Sequence, residues 1–233
     1  MTRAELSEAV AAWEAIVAAV AEASFDRSST AAPELRRACA AALAGGRAAI
    51  AAGGAGAVLV ACFEAARMAG APATFFSRIR AVAEGQAQAH AATQVIVSLA
   101  VRLALAAEAQ ALAETTFASR DDVDAALSRL RPAFESVIDA TMAARESEAH
   151  KAFGQLYAAV VSDLTARARR MPRVVVYRMG LSLPALALAN RLYGDAGRSG
   201  ELAAENKVVH PLFMPVQLYG KPQLKCVIYF LGN

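Results

Sequence analysis

The sequence predicts a mainly α chain closed by a small α+β module. Three observations lead there. Apolar residues make up 57% of the 233 residues while aromatics make up only 6%. Much of the apolar share is alanine, the best helix former and a poor strand former. Apolar residues also recur at three- and four-residue spacing through the first 170 residues. The writing then changes at Met171-Pro172: five of the eight prolines, Pro172 included, and four of the five tyrosines lie from there on. The expected domains are therefore an alanine-rich helical domain, 1–170, and an α+β module, 171–233. So apolar a chain is not disordered.

In the first region, Leu6, Val10, Trp13, Val17 and Val20 form one stripe, the period of an amphipathic helix. Ser28-Ser29-Thr30 ends it, and Pro33 opens a second helix that runs to about Ala52. Gly53 to Gly56 is a turn, and a third helix covers about Ala57 to Met68. The uncharged stretch Ala48 to Phe63 is shorter than a membrane span and reads as a tight helix pair around that turn. No stable membrane insertion is expected. From Thr74 to about Thr116 one unbroken helix is predicted, with His90 on its polar stripe and only Gly85 as a weak point. A stripe of that length needs partner helices, which points to a homo-oligomer. Ser119 with Asp121 and Asp122 marks the next helix start; that helix runs through Leu127 and Leu130, and Pro132 kinks it or starts a new one. The last long helix is expected from about Pro132 to Arg170, with His150 on a solvated face.

The closing region changes period. Arg173 to Arg178 is β-branched between Pro172 and Gly180, a strand signal. Ser182-Leu183-Pro184 starts a short helix. Gly194 to Gly197 is a turn and Ser199 to Asn206 a second short helix. A loop with Pro211 and Pro215 leads to a second strand at Gln223 to Tyr229. The order is strand, helix, helix, strand.

Charge is divided. Residues 1–150 hold 13 Lys and Arg against 17 Asp and Glu, and residues 151–233 hold 11 against 4. Cys39, Cys62 and Cys226 are far apart, with no metal-ligand spacing and no even disulfide framework. No nucleophile elbow, Walker loop or paired carboxylates emerge. The expectation is a non-enzyme with no cofactor and no metal.

The closing layout resembles a LysM module. Val174 to Tyr177 followed by Leu183 to Ala187 sit where LysM domains have their first strand and helix, and Glu201 to Asn206 resembles the end of their second helix. A closer resemblance is to the C-terminal part of the tail "DNA circularisation" proteins of Mu-like contractile-tailed phages and prophages. It is carried by Leu183 to Leu186, Leu192 to Arg198 and Glu205 to Pro215, with Val160 to Ala168 as the helix that precedes them. The family usually begins with a β-rich N-terminal domain. Here Met1 leads into helix, so that domain is expected to be missing, and roles that rest on it do not carry over.

The resemblance implies a structural adaptor near the baseplate hub and the tape-measure end, in a virion tail assembled in the bacterial cytoplasm. Other tail proteins are the implied partners, with copies of the chain in a symmetric ring. The expected docking residues are Tyr193, Gly194, Asp195, Arg198, Asn206, His210, Pro211, Phe213 and Met214. Phe213 and Met214 read equally as interface or as cover for the module's own core. Arg167, Arg169, Arg170, Arg173 and Arg178 would meet an acidic partner or DNA phosphates. The family name implies a second role on injected DNA ends. A true LysM domain would hold glycan between Gly180 to Ser182 and Asn206 to Pro211.

Overall fold

The computed structural model describes residues 1–22 and 31–221. The expected stop at Ser28-Ser29-Thr30, the expected strand at Gln223 to Tyr229 and Cys226 lie outside the described residues. The chain is mainly α, 72% helical, with a small β-α-α-β segment at its C-terminal end. It forms two compact units. One comprises residues 1–115 and 131–160, the other 116–130 and 161–233.

The helical unit opens with α1 (Arg3–Ala21). Thr2 and Glu5 form a reciprocal capping box: the Thr2 hydroxyl accepts from the Glu5 N–H and the Glu5 carboxylate accepts from the Thr2 N–H. Its apolar stripe buries Trp13, Ile16, Val17 and Val20. α2 (Ala32–Ala51) and α3 (Ala55–Met68) follow, joined at Gly53 and Gly54. Gly53 sits at φ 72°, and its N–H and that of Gly54 bond back to Ile50 and Ala49. That is a Schellman stop, which needs the left-handed conformation glycine adopts freely. The expected glycine turn between two packed helices is thus present.

The helix expected from Thr74 to Thr116 is two helices, α4 (Ala73–Glu84) and α5 (Ala91–Glu114). The break falls at Gly85 to His90, and its cause is tertiary. His90, expected inside a helix, takes the N-cap position of α5. Its N–H donates to one Glu8 oxygen at 3.2 Å and its ring Nδ1 lies 2.6 Å from the other. α1 thereby holds the end of the loop. With the break, α4 packs along α5, and α5 also packs on α1 and α3. The alanine-rich face is buried within the unit, so the long-rod argument for partner helices falls away. Among the described residues α5 alone is long and apolar enough to cross a membrane, and much of it is buried in this packing. Inside the unit, Arg80 of α4 reaches toward the buried Glu108 of α5.

α6 (Arg120–Ala143) and α7 (Ser147–Ala168) replace the single helix expected from Pro132. Of the two readings for Pro132, a kink within a helix or the start of a new one, the second is excluded: Pro132 lies inside α6. The stop comes at Arg145, at φ 57°. Its N–H bonds to the Met142 carbonyl and that of Glu146 to Thr141, another Schellman stop, without glycine. Arg102 of α5 pairs with Glu146 just beyond. Phe134 of α6 stacks on Tyr157 of α7 with ring centres 5.0 Å apart. His150 is half-buried, its Nδ1 3.3 Å from the Ile138 carbonyl, and not on the solvated face expected.

The second unit holds β1 (Val175–Arg178), α8 (Ala185–Tyr193), a short 3-10 turn (Ala196–Arg198), α9 (Ser199–Glu205) and β2 (Gln217–Gly220). The order of elements is the one read from the sequence. The strand paired with β1 is Gln217–Gly220, in the stretch expected to be loop. The pairing is antiparallel, with Val175 opposite Gly220 and Arg178 opposite Gln217. Alternation explains it: Leu218 and Gly220 face in while Gln217 and Tyr219 face out. The stretch before β1 is fastened to the start of α6, where Asp121 accepts the Val174 N–H and the Pro172 carbonyl accepts the Arg120 N–H.

Candidate docking surface

The module's core separates the expected docking residues by burial. Leu188, Ala189, Leu192 and Tyr193 of α8 pack with Leu202 and Ala203 of α9, Met214 and Leu218. Tyr193 is a core residue. Its hydroxyl accepts the Lys221 N–H at 3.1 Å, and burial pushes its phenol above the usual range, with that bond opposing the shift. Gly220 has no side chain for a physical reason: a Cβ there would lie 2.7 Å from the Tyr193 hydroxyl.

The turn after α8 is self-contained. Gly194 ends the helix at φ 69°, as glycine does most cheaply. The Asp195 carboxylate accepts the Gly197 N–H at 2.8 Å. Arg198 lies over the Tyr193 ring, 4.0 Å from its centre. The same guanidinium makes two bonds to Glu201 and a third to the Lys221 carbonyl. Those bonds to the carboxylate hold Arg198 above and Glu201 below their usual ranges.

Asn206 acts as a piece of strand. Its amide donates to the Tyr219 carbonyl and its oxygen accepts the Tyr219 N–H, both at 2.7 Å. That copies an antiparallel backbone pair and ties the end of α9 to β2. Lys207 then turns at φ 52° in the Schellman geometry. The following loop is laced to the start of α8. Pro211 accepts the Ala185 N–H at 2.6 Å, Leu183 accepts the Met214 N–H, and Ser182 donates its hydroxyl to the Met214 carbonyl.

Of the nine residues expected to dock, Tyr193 and Met214 are in the core, and Gly194, Asp195, Arg198, Asn206 and Pro211 build the turns and clamps that hold it. Gly194, Asp195 and Pro211 are exposed while they do so, and His210 and Phe213 are exposed as well. Adjacent residues take opposite fates: Met214 is 1% exposed and Phe213 is 73% exposed. Phe213 has company that the docking set omitted. Leu181, Leu186, Val209 and Leu212 are also exposed, on the same two laced segments. Leu181, Val209 and Leu212 lie in loops, which periodicity does not register, and Leu186 lies in the first turn of α8.

The cation set also divides. Arg167 pairs with Asp163 and lies over the Phe117 ring, so it is built into its own unit. Arg169, Arg170, Arg173 and Arg178 are exposed.

Elsewhere, a cavity of about 360 Å³ in the helical unit is lined by α4, α5 and α6, with Ser98, Arg102 and Ser136 among its polar groups. Cys39 and Cys62 are free and buried, and their thiols face each other within hydrogen-bonding reach between α2 and α3. Among the described residues no three His, Cys, Asp or Glu come together as a metal site. No protein-family model matches the chain, and no curated protein matches it.

Proposed function

We propose that the chain is a structural adaptor of a phage or phage-like contractile tail, linking the hub or tape-measure end to neighbouring baseplate proteins through its C-terminal module. The observation that supports this reading most is the exposed apolar edge of Leu181, Leu186, Val209, Leu212 and Phe213 on an otherwise well-tied module. Soluble monomers rarely expose such contiguous patches unless a partner covers them. The resemblance of residues 157–215 to tail proteins supplies the setting. Leu212→Ser with Phe213→Ser, introduced in the strain that makes the particle, tests it. The adaptor reading expects folded protein and failed tail assembly. Folded protein with normal particles rejects it.

The exposed Arg169, Arg170, Arg173 and Arg178 favour a second reading, a factor that binds DNA ends. Binding through four phosphate contacts would fall with salt at a log–log slope of about −0.9 per contact. Tight retention of linear DNA at physiological salt, lost in Arg169→Glu with Arg170→Glu, would move the assignment to it.

A further inference from the structure

We propose that the apolar edge of the C-terminal module receives an acidic amphipathic segment of a partner protein. This rests on the docking role argued above and adds the chemistry of the occupant. The edge is carried by residues 181–186 and 209–213, which the Ala185–Pro211 and Leu183–Met214 backbone bonds lace side by side. Its large apolar side chains are Leu181, Leu186, Val209, Leu212 and Phe213, aliphatic except for Phe213, and the exposed His210 lies in the same segment.

Charge selects the partner. From Pro172 to Lys221 the sequence holds six Lys and Arg against three acids. All three acids have work inside the module: Glu201 binds Arg198, Glu205 binds Lys221 and Asp195 closes its turn. Among the described contacts, Arg173, Arg178, Arg191 and Lys207 have no carboxylate partner, and all four are exposed. Arg178 and Lys207 lie three and two residues before Leu181 and Val209. The edge therefore offers spare positive charge beside apolar surface, and complementary charge is what steers and selects an interface. A second module of the same kind would bring like charges together.

A nucleic acid strand would want a run of aromatic platforms for its bases, and this edge offers only Phe213 and the His210 imidazole. A membrane surface would want a denser basic cluster and interfacial Trp or Tyr. An acidic protein segment needs only aliphatic contact and a few cations, which are both here.

The test uses the full chain and two labelled 18-residue amphipathic peptides. Both carry leucine on one helical face; one has Glu on the other face and the second has Lys. Fluorescence anisotropy should show the Glu peptide binding about tenfold more tightly than the Lys peptide, weakening as salt rises. Leu212→Ser with Phe213→Ser, and separately Arg178→Glu with Lys207→Glu, should each weaken the Glu peptide at least about fivefold. Circular dichroism confirms that each variant keeps its helicity. Equal binding of the two peptides, no binding of either, or unchanged binding by the variants overturns the proposal. So does partition of the chain into phosphatidylglycerol vesicles without peptide binding, which assigns the edge to lipid. Should the peptides fail while the Leu212/Phe213 variant still blocks tail assembly, docking stands and the acidic chemistry is wrong. Should that variant assemble normally, docking itself is wrong.

Discussion

The two units spend their apolar residues differently. The helical unit buries most of them by bringing backbones close, although Val60, Met68, Val95 and Met142 stay exposed. Trp13 lies on Gly46, where even a Cβ would come within 2.4 Å of the indole nitrogen, and that nitrogen donates to the Ala42 carbonyl at 3.0 Å. Alanine and glycine give each contact little area, so many close contacts share the burial. The module does the reverse. A few large residues, Leu188, Leu192, Tyr193, Leu202 and Met214, fill a small core, while others of similar size stand outside it. Buried small residues mark where helices approach.

Disturbing the close approach should give the largest stability effect. Trp13→Ala removes a fully buried indole and should cost about 3–5 kcal/mol. Gly46→Ala adds one methyl group against the same ring and should cost about 1–3 kcal/mol, because the packed helices cannot separate freely. Thermal melts followed by circular dichroism read both. A Gly46→Ala chain with unchanged melting would mean that α1 and α2 are not pressed together as described.

The module offers a sharper contrast at two neighbours. Met214→Ser should cost about 2–5 kcal/mol, because Met214 is in the core. Phe213→Ser should stay within about 0.5 kcal/mol, because its ring is in solvent. Asn206→Ala falls between, about 1–3 kcal/mol, since it strips both partners from the Tyr219 backbone. Hydrogen exchange of the Val175–Arg178 and Gln217–Gly220 amides in the full chain measures all three locally. Equal loss of protection for Met214→Ser and Phe213→Ser would erase the distinction between core and edge.

The helical unit was legible where signals are local. Thr2 with Glu5 and the Gly53 turn can be read along the chain. What was not legible is where distant residues decide. Gln86 to His90 has good helical composition, and only Glu8, far away in sequence, shows why α5 starts at Ala91. Arg145 ends α6 with no glycine and no proline to announce it. In the module the element order was readable, and so were the roles of Gly194, Asp195 and Asn206 in closing its helices and turns. The exposure of Phe213 beside the burial of Met214 was not, because both are large, apolar and in a loop. β2 was missed because a four-residue strand containing Gly and Gln has weak propensity. Its pairing with β1 and the buried Leu218 make it a strand.

The smallest effect expected is a pH dependence at the α4–α5 break. Burial pushes the Glu8 carboxyl up, but the His90 ring, the Thr93 hydroxyl and the His90 N–H together outweigh that and hold it below its ordinary value of 4.5. A carboxyl lowered by folding binds protons less readily in the native chain than in the unfolded one. Its contribution to stability is therefore full above pH 4.5 and is lost as pH falls through the lowered folded value. Glu8→Gln keeps the size and a carbonyl acceptor but removes the charge. Melting temperatures measured from pH 7 downward should fall further below pH 4.5 for the natural chain than for Glu8→Gln. The two curves should converge at the acid end. Parallel curves would mean that Glu8 does not hold the start of α5 by its charge. The break would then have to come from the helix signals around Gly85 alone.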